Sequence, residues 1–406
     1  MKNKQLIFDS LKLIAALLLV ISFTYCKTDP KNPETSNSAA DHSTAAFVSN
    51  PVEVPEQVIK TLEIGMKAPD FRLPGTDGKF HTLAEYDEAK VLVIIFTCNH
   101  CPTAQAYEER LKEITKDYYS REVQIIAISP NSPLGILPEE LGYSDLGDSY
   151  EDMIIRNKEH AFNFPYLYDG DNQKVSLAYG PAATPHCFVF DQHRLLKYVG
   201  RIDASEKPGT ANGEDLRRAI DFTLVDTKLN EPTTKTFGCS TKWGWKTKMR
   251  KKADKDWQLK EVTLEEASIE ELKKLVKNDG KKLRLVNVWA TWCGSCRIEY
   301  PEFLVIQRMF GARDFEFISV AADKISKKDA VLKFLKSAYS SVPNYISLTD
   351  DKYALIEAIS PEWNGALPYT VLIEPGGKVV WQYQGEVDFQ DLKKVIVDHP
   401  MIGRVY

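Results

Sequence analysis

The chain carries one short arrangement twice: a pair of cysteines separated by two residues, directly after an apolar run and directly before a stretch with helical spacing. The first copy is "VLVIIFTCNHCP" at residues 91–102, and the second is "RLVNVWATWCGSC" at residues 284–296. A continuous β-branched run predicts a strand that is covered on both faces of a parallel or mixed sheet. Each cysteine pair is therefore expected at the turn from a buried strand into a helix.

Further matching segments extend each copy to the size of a domain. Strand-like runs follow at residues 123–129 and 315–322, and each copy ends in a proline-led strand pair and an amphipathic helix. A strand, a helix and a second strand make a βαβ unit. At 406 residues the chain is long enough for two domains that each bury a core. The predicted fold class is α/β, with two domains in tandem, each a central mixed sheet flanked by helices.

The N-terminus has the features of an export signal. Lys2 and Lys4 precede an apolar core at residues 13–23, which has the length of a signal peptide and is short for a membrane span. Cys26 follows and resembles the lipidated cysteine of bacterial lipoproteins, although Tyr25 stands where that motif has a small residue. The prediction is a lipoprotein-type signal peptide at residues 1–26, with lipidation of Cys26. Simple secretion, an uncleaved anchor and a cytoplasmic protein are the alternatives.

Amino-acid composition indicates where the tether, the two domains and the linker between them begin and end. Residues 27–56 are rich in Ser, Thr, Asn and Pro and hold little apolar surface, which predicts a flexible tether. The two domains are predicted at residues 57–240 and 258–406, with the basic, Trp-containing segment 241–257 as a solvated linker. A formal net charge of −5 gives no general attraction to phosphate backbones, so nucleic acid is not expected as a partner.

Paired cysteines at a helix start favour thiol–disulfide exchange. The nucleophile is the thiolate, and a helix N-terminus lowers the pKa of a cysteine below its usual value of about 8.5. The first cysteine of each pair, Cys98 or Cys293, is therefore predicted to attack. The second, Cys101 or Cys296, lies one turn later and is predicted to resolve the mixed disulfide.

Three other roles of these cysteines are alternatives to disulfide exchange. A zinc site shared between the pairs would need a shorter spacer than the one that separates them. A CxxC disulfide closes too small a loop to constrain an unfolded chain much, which argues against a purely structural role. A copper or zinc site in the first copy, formed by Cys98 and Cys101 with His100 and His186, stays open as an alternative to the expected absence of any metal or cofactor.

These motifs resemble two branches of one family. The second copy is similar to the TlpA/ResA-like thiol–disulfide oxidoreductases, and the first, with "GMKAPDFRLPGTDGKFHTL" at residues 65–83, resembles the redoxin (AhpC/TSA-like) branch. The resemblance implies a thioredoxin fold in each half. It also implies cis peptide bonds before Pro185 and Pro368, with the backbone of Thr184 and Leu367 facing the substrate.

The resemblance also assigns roles around the cysteines. Glu299 matches a proton-handling glutamate of the ResA-like group, and the corresponding position of the first copy is Ala104. The residues between the cysteines tune the dithiols: Asn99 and His100 in the first copy, Gly294 and Ser295 in the second. A histidine that stabilises a neighbouring thiolate makes the disulfide a stronger oxidant. We therefore expect electrons to flow from the second centre to the first.

Two further cysteines have no predicted role. Cys187 lies in an apolar strand, where a buried thiol is common. Cys239 stands in "FGCSTKW", which resembles a GCxxKW tail of related redoxin-like proteins. A disulfide between Cys187 and Cys239 is conceivable in an exported chain.

The predicted function is that of an exported thiol–disulfide oxidoreductase that exchanges disulfides with proteins of the bacterial cell envelope, periplasmic or membrane-anchored through a lipid. The predicted partners are disulfide-bearing or dithiol envelope proteins, and a membrane protein that donates electrons is left open. One alternative is a copper- or zinc-binding envelope chaperone that uses the first CxxC. The other is a peroxiredoxin-like peroxidase, which the absence of proline before Thr97 and Cys98 disfavours because peroxiredoxins use a PxxxTxxC signature.

Overall fold

The computed structural model describes residues 47–405. The predicted signal peptide, Cys26 and residues 27–46 of the predicted tether lie outside the described residues. The last ten residues of that tether pack on the first domain, which the sequence did not predict. Ser49 Oγ donates a 2.7 Å hydrogen bond to Asp171, and the ring of Phe47 lies edge-on to Tyr150.

The first domain is built on a five-stranded mixed sheet in the order β5-β4-β3-β7-β8. The predicted strand, helix, strand sequence around the first cysteine pair is confirmed. The strands are β1 (Arg72–Pro74), β2 (Phe80–Thr82), β3 (Val91–Phe96), β4 (Val123–Ser129), β5 (Tyr166–Tyr168), β6 (Ala183–Thr184), β7 (His186–Phe190), β8 (Leu196–Gly200) and β9 (Cys239–Ser240). The helices are α1 (Pro102–Tyr118), α2 (Tyr150–His160), α3 (Lys174–Tyr179) and α4 (Glu214–Leu224).

Strand β3 lies at the centre of this sheet and is covered on both faces. It runs parallel to β4 and antiparallel to β7. Its side chains alternate between two apolar clusters, with Val91, Val93 and Ile95 in one, and Leu92, Ile94 and Phe96 in the other. The unbroken apolar run therefore corresponds to a strand buried on both sides, as predicted.

The second domain contains a six-stranded mixed sheet in the order β10-β13-β12-β11-β14-β15. The predicted fold class is confirmed for both halves. The strands are β10 (Glu265–Ala267), β11 (Leu283–Trp289), β12 (Phe315–Ala321), β13 (Asn344–Ser347), β14 (Tyr369–Ile373) and β15 (Val379–Gln384). The helices are α6 (Ile269–Lys277), α7 (Gly294–Phe310), α8 (Lys328–Ser337), α9 (Lys352–Ile359) and α10 (Phe389–Asp398), with α5 (Thr247–Gln258) between the domains.

The predicted linker is only partly a solvated connection. Helix α5 fills most of it and is largely exposed. The residues just before α5 belong to the first domain, because Lys242 and Trp243 are buried there. The backbone N–H of Lys242 donates a 2.8 Å hydrogen bond to Asn131. Within residues 47–405, no helix combines the length and the apolar character that crossing a membrane requires.

The two domains touch through the loop that precedes α2 and through α7. Arg308 on α7 donates to Glu139 of the first domain at 3.1 Å and to Asp254 of α5 at 2.7 Å. Arg404 near the C-terminus forms a 2.6 Å ion pair with Asp145, which is buried. The helix that carries the second cysteine pair is therefore held against the first domain.

Candidate functional site

The second cysteine pair forms a disulfide at the start of α7. Cys293 is the residue that caps the helix, and its Sγ accepts a hydrogen bond from Cys296 N at 3.3 Å. The two sulfurs are bonded at 2.03 Å. Cys293 keeps 8% of its surface exposed and follows Trp292, which is 71% exposed, whereas Cys296 is sealed. Both cysteines are buried, and Cys293 is the less buried of the two.

A groove lies beside this pair. It has a volume of about 290 Å³, and its lining includes Trp292, Leu367 and Trp363 together with the charged Asp323 and Lys352. The Leu367–Pro368 peptide bond is cis, as expected. Asp323 also accepts a 2.8 Å hydrogen bond from Thr291 N, which fixes the turn before Cys293. The loop predicted to face substrate therefore forms one wall of an open cleft next to the disulfide.

Glu299 lies on α7 one helical turn after Cys296 and is buried. Burial raises its pKa to about 7, against one stabilising hydrogen bond from Val387 N at 3.2 Å. Its Oε1 is buried without a hydrogen-bond partner among the described residues. A carboxyl group that titrates near neutrality can both take up and release a proton at physiological pH. These properties fit the proton-handling role that the resemblance predicts for Glu299.

Replacing Glu299 with glutamine is expected to remove an ionisation near pH 7 from the pH dependence of disulfide exchange at the second centre. Glutamine has a similar shape but cannot titrate, so the rate should fall by about 10²-fold if the carboxyl acts as general acid and base. The measurement is the rate of exchange between pH 5 and 9 for the wild type and Glu299→Gln. Glu302→Gln, an exposed change on the same helix, is the control. An unchanged profile in Glu299→Gln would assign this carboxyl a packing role only.

The first cysteine pair is placed differently on its helix. Pro102 is the first residue of α1, and Cys101 is its cap, in an extended conformation with φ −75° and ψ 120°. Proline is favoured at the first helical position, and it keeps the residue before it out of the helical region. The helix therefore begins after Cys101, whereas in the second domain it begins after Cys293. The proline in "CNHCP" is a sequence signal for this shift that our prediction did not use.

A buried ion pair adjoins the first centre. His100 Nδ1 lies 2.6 Å from Asp148 Oδ2, and both side chains are sealed from solvent. Burial by itself lowers the pKa of His100, but the charge and the hydrogen bond of Asp148, together with the charge of Cys101, outweigh it and the net pKa is raised. Burial alone would raise the pKa of Asp148, and the paired imidazolium instead holds it below its usual value. Both shifts favour the ionised form of the pair, in which the charge of His100 acts on Cys101 and the charge of Asp148 acts on Cys98.

The surroundings shift the pKa values of the two thiols in opposite directions. Burial raises the pKa of Cys98, and hydrogen bonding to Cys101 and the charge of Asp148 raise it further. Burial alone would also raise the pKa of Cys101. Hydrogen bonds from the Cys239 and Cys98 side chains, the charge of His100 and the Ala104 N–H lower it well below its usual value. These shifts favour the thiolate at Cys101, whereas the sequence predicts Cys98 as the attacking thiol, and which of the two attacks stays a prediction.

The first centre is also sealed from solvent. Cys98 is 2% exposed and Cys101 is fully buried. Cys98 Sγ shares a 3.1 Å hydrogen bond with Thr184 Oγ1, and Cys101 Sγ lies 3.4 Å from Thr184 O. The Thr184–Pro185 bond is cis, as expected.

The backbone of Thr184 is not free for substrate. It pairs with Cys239 in the two-stranded sheet of β6 and β9, so the chain itself occupies the position that the resemblance assigned to a bound peptide. The sequence motifs did not indicate that the segment with Cys239 returns to the cysteine centre, and the substrate-facing role of Thr184 stays a prediction.

The set of groups at the first centre that could hold a metal ion differs from the predicted one. Ligand atoms of Cys98, His100 and Asp148 lie within 4.8 Å of one another. His186 is not among them: its Nδ1 accepts a hydrogen bond from Ala182 N, and burial lowers its pKa to about 4. Asp148 already accepts hydrogen bonds from Asn99 N, His100 N and Asn131 Nδ2, besides the His100 ring. The atoms left for a metal are therefore sulfurs and the unpartnered His100 Nε2.

Sequence analysis missed two residues of the first centre. Asp148 lies far from the cysteines in the chain, in a loop without a motif, and only folding brings it to His100. The sequence gives no signal that Cys239 contacts the first cysteine pair. Among the described residues, Cys98, Cys101, Cys187 and Cys239 are free thiols, and Cys187 lies in a different cluster from Cys239, so the structure contains no bridge between those two.

Comparison with known proteins agrees with the resemblance. Residues 64–199 match the AhpC/TSA family, and residues 253–396 match the Redoxin family. The chain is 34% identical to the thiol-disulfide oxidoreductase ResA of Bacillus subtilis over 95 residues, which are 23% of this chain and 49% of that protein. It is 37% identical to a thioredoxin of Coprinus comatus over 60 residues, which are 15% of this chain and 55% of that protein.

The chain spans about half the length of each of these two curated relatives. Among solved structures, a hypothetical protein of Sinorhizobium meliloti is 33% identical. The match covers 46% of this chain and 97% of that protein, with a TM-score of 0.41.

Proposed function

Because the chain belongs to the thioredoxin-like redoxins, with an AhpC/TSA-family domain followed by a Redoxin-family domain, we propose that it is a thiol–disulfide oxidoreductase that exchanges disulfides with other proteins. The observation that carries the proposal is the Cys293–Cys296 disulfide at the start of α7, beside an open groove.

The second centre supports exchange in both directions. A substrate thiolate in the groove attacks Cys293 Sγ, the Cys293–Cys296 bond breaks, and Cys296 leaves as a thiolate. Glu299 in its protonated form supplies the proton that Cys296 takes up. A second substrate thiolate then displaces Cys293, so the substrate gains a disulfide and the enzyme gains two electrons. Reduction of a substrate disulfide follows the same steps in reverse.

We extend the proposal to the place of action and the partners. The N-terminal export features support a protein that works in the bacterial cell envelope, held to the membrane by a lipid on Cys26. Disulfide-bearing or dithiol envelope proteins are the proposed substrates. Labelling cells with a radioactive fatty acid and isolating the wild type and Cys26→Ala would test the anchor. Equal labelling of both proteins would exclude lipidation at Cys26.

Reduction of insulin disulfides by the full chain is expected to depend on the paired cysteines. Changing both cysteines of one centre to serine should remove that centre's share of turnover, because a serine hydroxyl does not ionise at neutral pH. Cys187→Ser, which removes a buried thiol outside both centres, is the control. Turnover at the wild-type rate in a variant that lacks all four CxxC cysteines would refute the proposal. Cys296→Ser, purified with its covalently bound partners, would identify substrates of the second centre.

The first centre is expected to have the higher reduction potential of the two. The His100–Asp148 pair stabilises the Cys101 thiolate and hence the reduced form, and the second centre has Gly294 and Ser295 in place of such a cation. A stabilisation of the thiolate by 1.4 kcal/mol corresponds to about 30 mV for a two-electron couple. The measurement is equilibration with glutathione of full-length variants in which the other centre carries serines. Equal potentials would remove the case for electron flow from the second centre to the first.

A second candidate function is metal binding at the first centre. Ligand atoms of Cys98, His100 and Asp148 lie within 4.8 Å of one another in a sealed site, and a carboxylate hydrogen-bonded to a histidine ring is typical of metal centres. Equilibrium dialysis of the reduced protein with copper(I) or zinc, followed by metal analysis, tests this function. Stoichiometric metal that is lost on changing His100 to alanine would favour a metal-binding protein over an oxidoreductase at this centre.

A further inference from the structure

In the first domain, the segment at residues 237–243 ("FGCSTKW"), called the tail below, covers the backbone edge next to the cis proline Pro185. Strand β9 (Cys239–Ser240) runs antiparallel to β6, with Cys239 opposite Thr184 and Ser240 opposite Ala183. In the second domain the corresponding loop, at Leu367, lines an open groove. Strand addition at such an edge is how extended peptides are bound. The tail therefore lies where a substrate segment would lie, and it carries a cysteine at that place.

Cys239 is held directly against the sealed cysteine pair. Its backbone N–H donates a 3.3 Å hydrogen bond to Cys101 Sγ, and it packs against the cluster of Cys98, Cys101 and Ala104. Unlike Cys98 and Cys101, Cys239 is only partly buried. It is thus the thiol that connects the sealed pair with the surface of the domain.

We propose that Cys239 is a third redox-active cysteine, which forms a disulfide with Cys101 and so carries disulfide exchange between the sealed Cys98/Cys101 pair and dithiol proteins outside. This inference rests on the proposed function, because it assigns the route by which the first centre reaches its substrate. It also gives a reason for a cysteine, rather than any small residue, in the tail.

The exchange proceeds in two balanced stages. From a Cys98–Cys101 disulfide, the Cys239 thiolate attacks Cys101 Sγ, the Cys101–Cys239 bond forms, and Cys98 leaves and takes up the proton that Cys239 gave up. A thiolate of the external protein then attacks Cys239 Sγ, and Cys101 leaves as a thiolate.

A second thiolate of the same protein attacks the sulfur bound to Cys239, which leaves and is protonated. The external dithiol has then lost two electrons to the two enzyme sulfurs.

The environment of the first centre favours the step in which the external thiolate attacks Cys239 and Cys101 leaves. A hydrogen bond stabilises a departing thiolate, and the backbone N–H of Cys239 donates one to Cys101 Sγ at 3.3 Å. The external protein therefore attacks the partly exposed sulfur of Cys239 and displaces the stabilised thiolate of Cys101.

Disulfide mapping tests the bond itself. The parent is the full chain with Cys293→Ser and Cys296→Ser, so that only the first centre reacts. After oxidation with oxidised glutathione, acid quench and digestion, the added Cys98→Ser variant is expected to contain a Cys101–Cys239 disulfide. The added Cys239→Ser variant is expected to contain only Cys98–Cys101. Cys101 recovered from the Cys98→Ser variant as a glutathione adduct, with Cys239 free, would overturn the proposal.

Single-turnover oxidation of reduced, unfolded ribonuclease A tests the role of that bond. A tethered thiol acts at an effective concentration of about 1 mM or more, so with about 10 µM substrate Cys239→Ser should slow exchange at the first centre on the order of 10²-fold. Gly238→Ala keeps the thiol but should slow exchange too, because its Cβ would lie 2.1 Å from Thr184 O. Cys187→Ser should exchange at the parent rate.

Exchange by Cys239→Ser at the parent rate would overturn the inference and leave the proposed function standing. If the parent itself oxidises no substrate, the proposed function fails for this centre. The mapped Cys101–Cys239 bond then still decides whether Cys239 is redox-active.

Discussion

Replacement of Asp148 with asparagine is expected to lower the free energy of unfolding by about 3–5 kcal/mol, because removing one partner of a buried ion pair leaves the other without compensation. Both side chains of the His100–Asp148 pair are sealed, and Asp148 also holds the backbone N–H groups of Asn99 and His100 at 2.9 and 3.0 Å. Urea unfolding at pH 6 measures the loss.

The same variant should raise the pKa of Cys101, since the charge on His100 depends on Asp148. The rate of alkylation of Cys101 against pH, in the background without the second centre, measures this pKa. Glu108→Gln is the matched control. It breaks another buried ion pair of the first domain, with Arg156 at 2.8 Å, and it should cost stability without moving the pKa of Cys101. A shift of equal size in both variants would mean that the pKa follows general loosening of the domain.

The His100–Asp148 ion pair is expected to stabilise the folded protein over a limited range of pH. The folded-state pKa of Asp148 is lowered, so its contribution is present above its unfolded pKa of about 3.9 and is lost as the pH falls through the folded value. The folded-state pKa of His100 is raised, so its contribution is present below about 6.5 and is lost as the pH rises through the folded value. The stability difference between wild type and Asp148→Asn should therefore be largest between about pH 4 and 6.5.

Asp203→Ala is expected to destabilise the protein by about 3–5 kcal/mol, whereas Asp388→Ala at the matching place of the second domain should cost about 1 kcal/mol. Asp203 is fully buried and pairs with Arg110 at 2.6 Å, and it accepts further hydrogen bonds from Tyr107 and Gly213 N. Asp388 is exposed and caps α10 by accepting hydrogen bonds from Gln390 and Asp391 N.

These two aspartates stand three residues after a glycine in both copies, so the sequence treats them as equivalents. Thermal or urea unfolding of the two single variants measures the difference. Equal losses would show that the buried ion pair of Asp203 contributes no more than a helix cap.

Much of the fold was readable from local sequence. The β-branched segments at residues 91–97 and 284–290 predicted the central strands β3 and β11 to within one residue at each end, because a strand covered on both faces is apolar at most positions. The final helix of the second domain was predicted at residues 389–398 and is found there. The family and the pairing of two such domains followed from the repeated strand, cysteine pair and helix.

Local sequence patterns did not predict where the short strands and the tail lie. A two-residue strand such as β9 has no periodicity, and its position depends on which edge is free once the domain has folded. The segment 241–257 is basic and weakly periodic because most of it forms the exposed helix α5. Its pattern therefore did not predict that Lys242 and Trp243, just before that helix, are buried.

The sequence by itself determined that this protein holds two dithiol centres on two thioredoxin-like domains, because strand, cysteine pair and helix are encoded by neighbouring residues. The tertiary structure alone decided how the centres differ. Asp148 and Cys239 reach the first centre from distant parts of the chain and contact His100 and Cys101, and the first pair is sealed, whereas a groove lined by Trp292 and Leu367 lies near the second pair. Burial and charge at a thiol depend on everything that folds around it, and no local pattern records them.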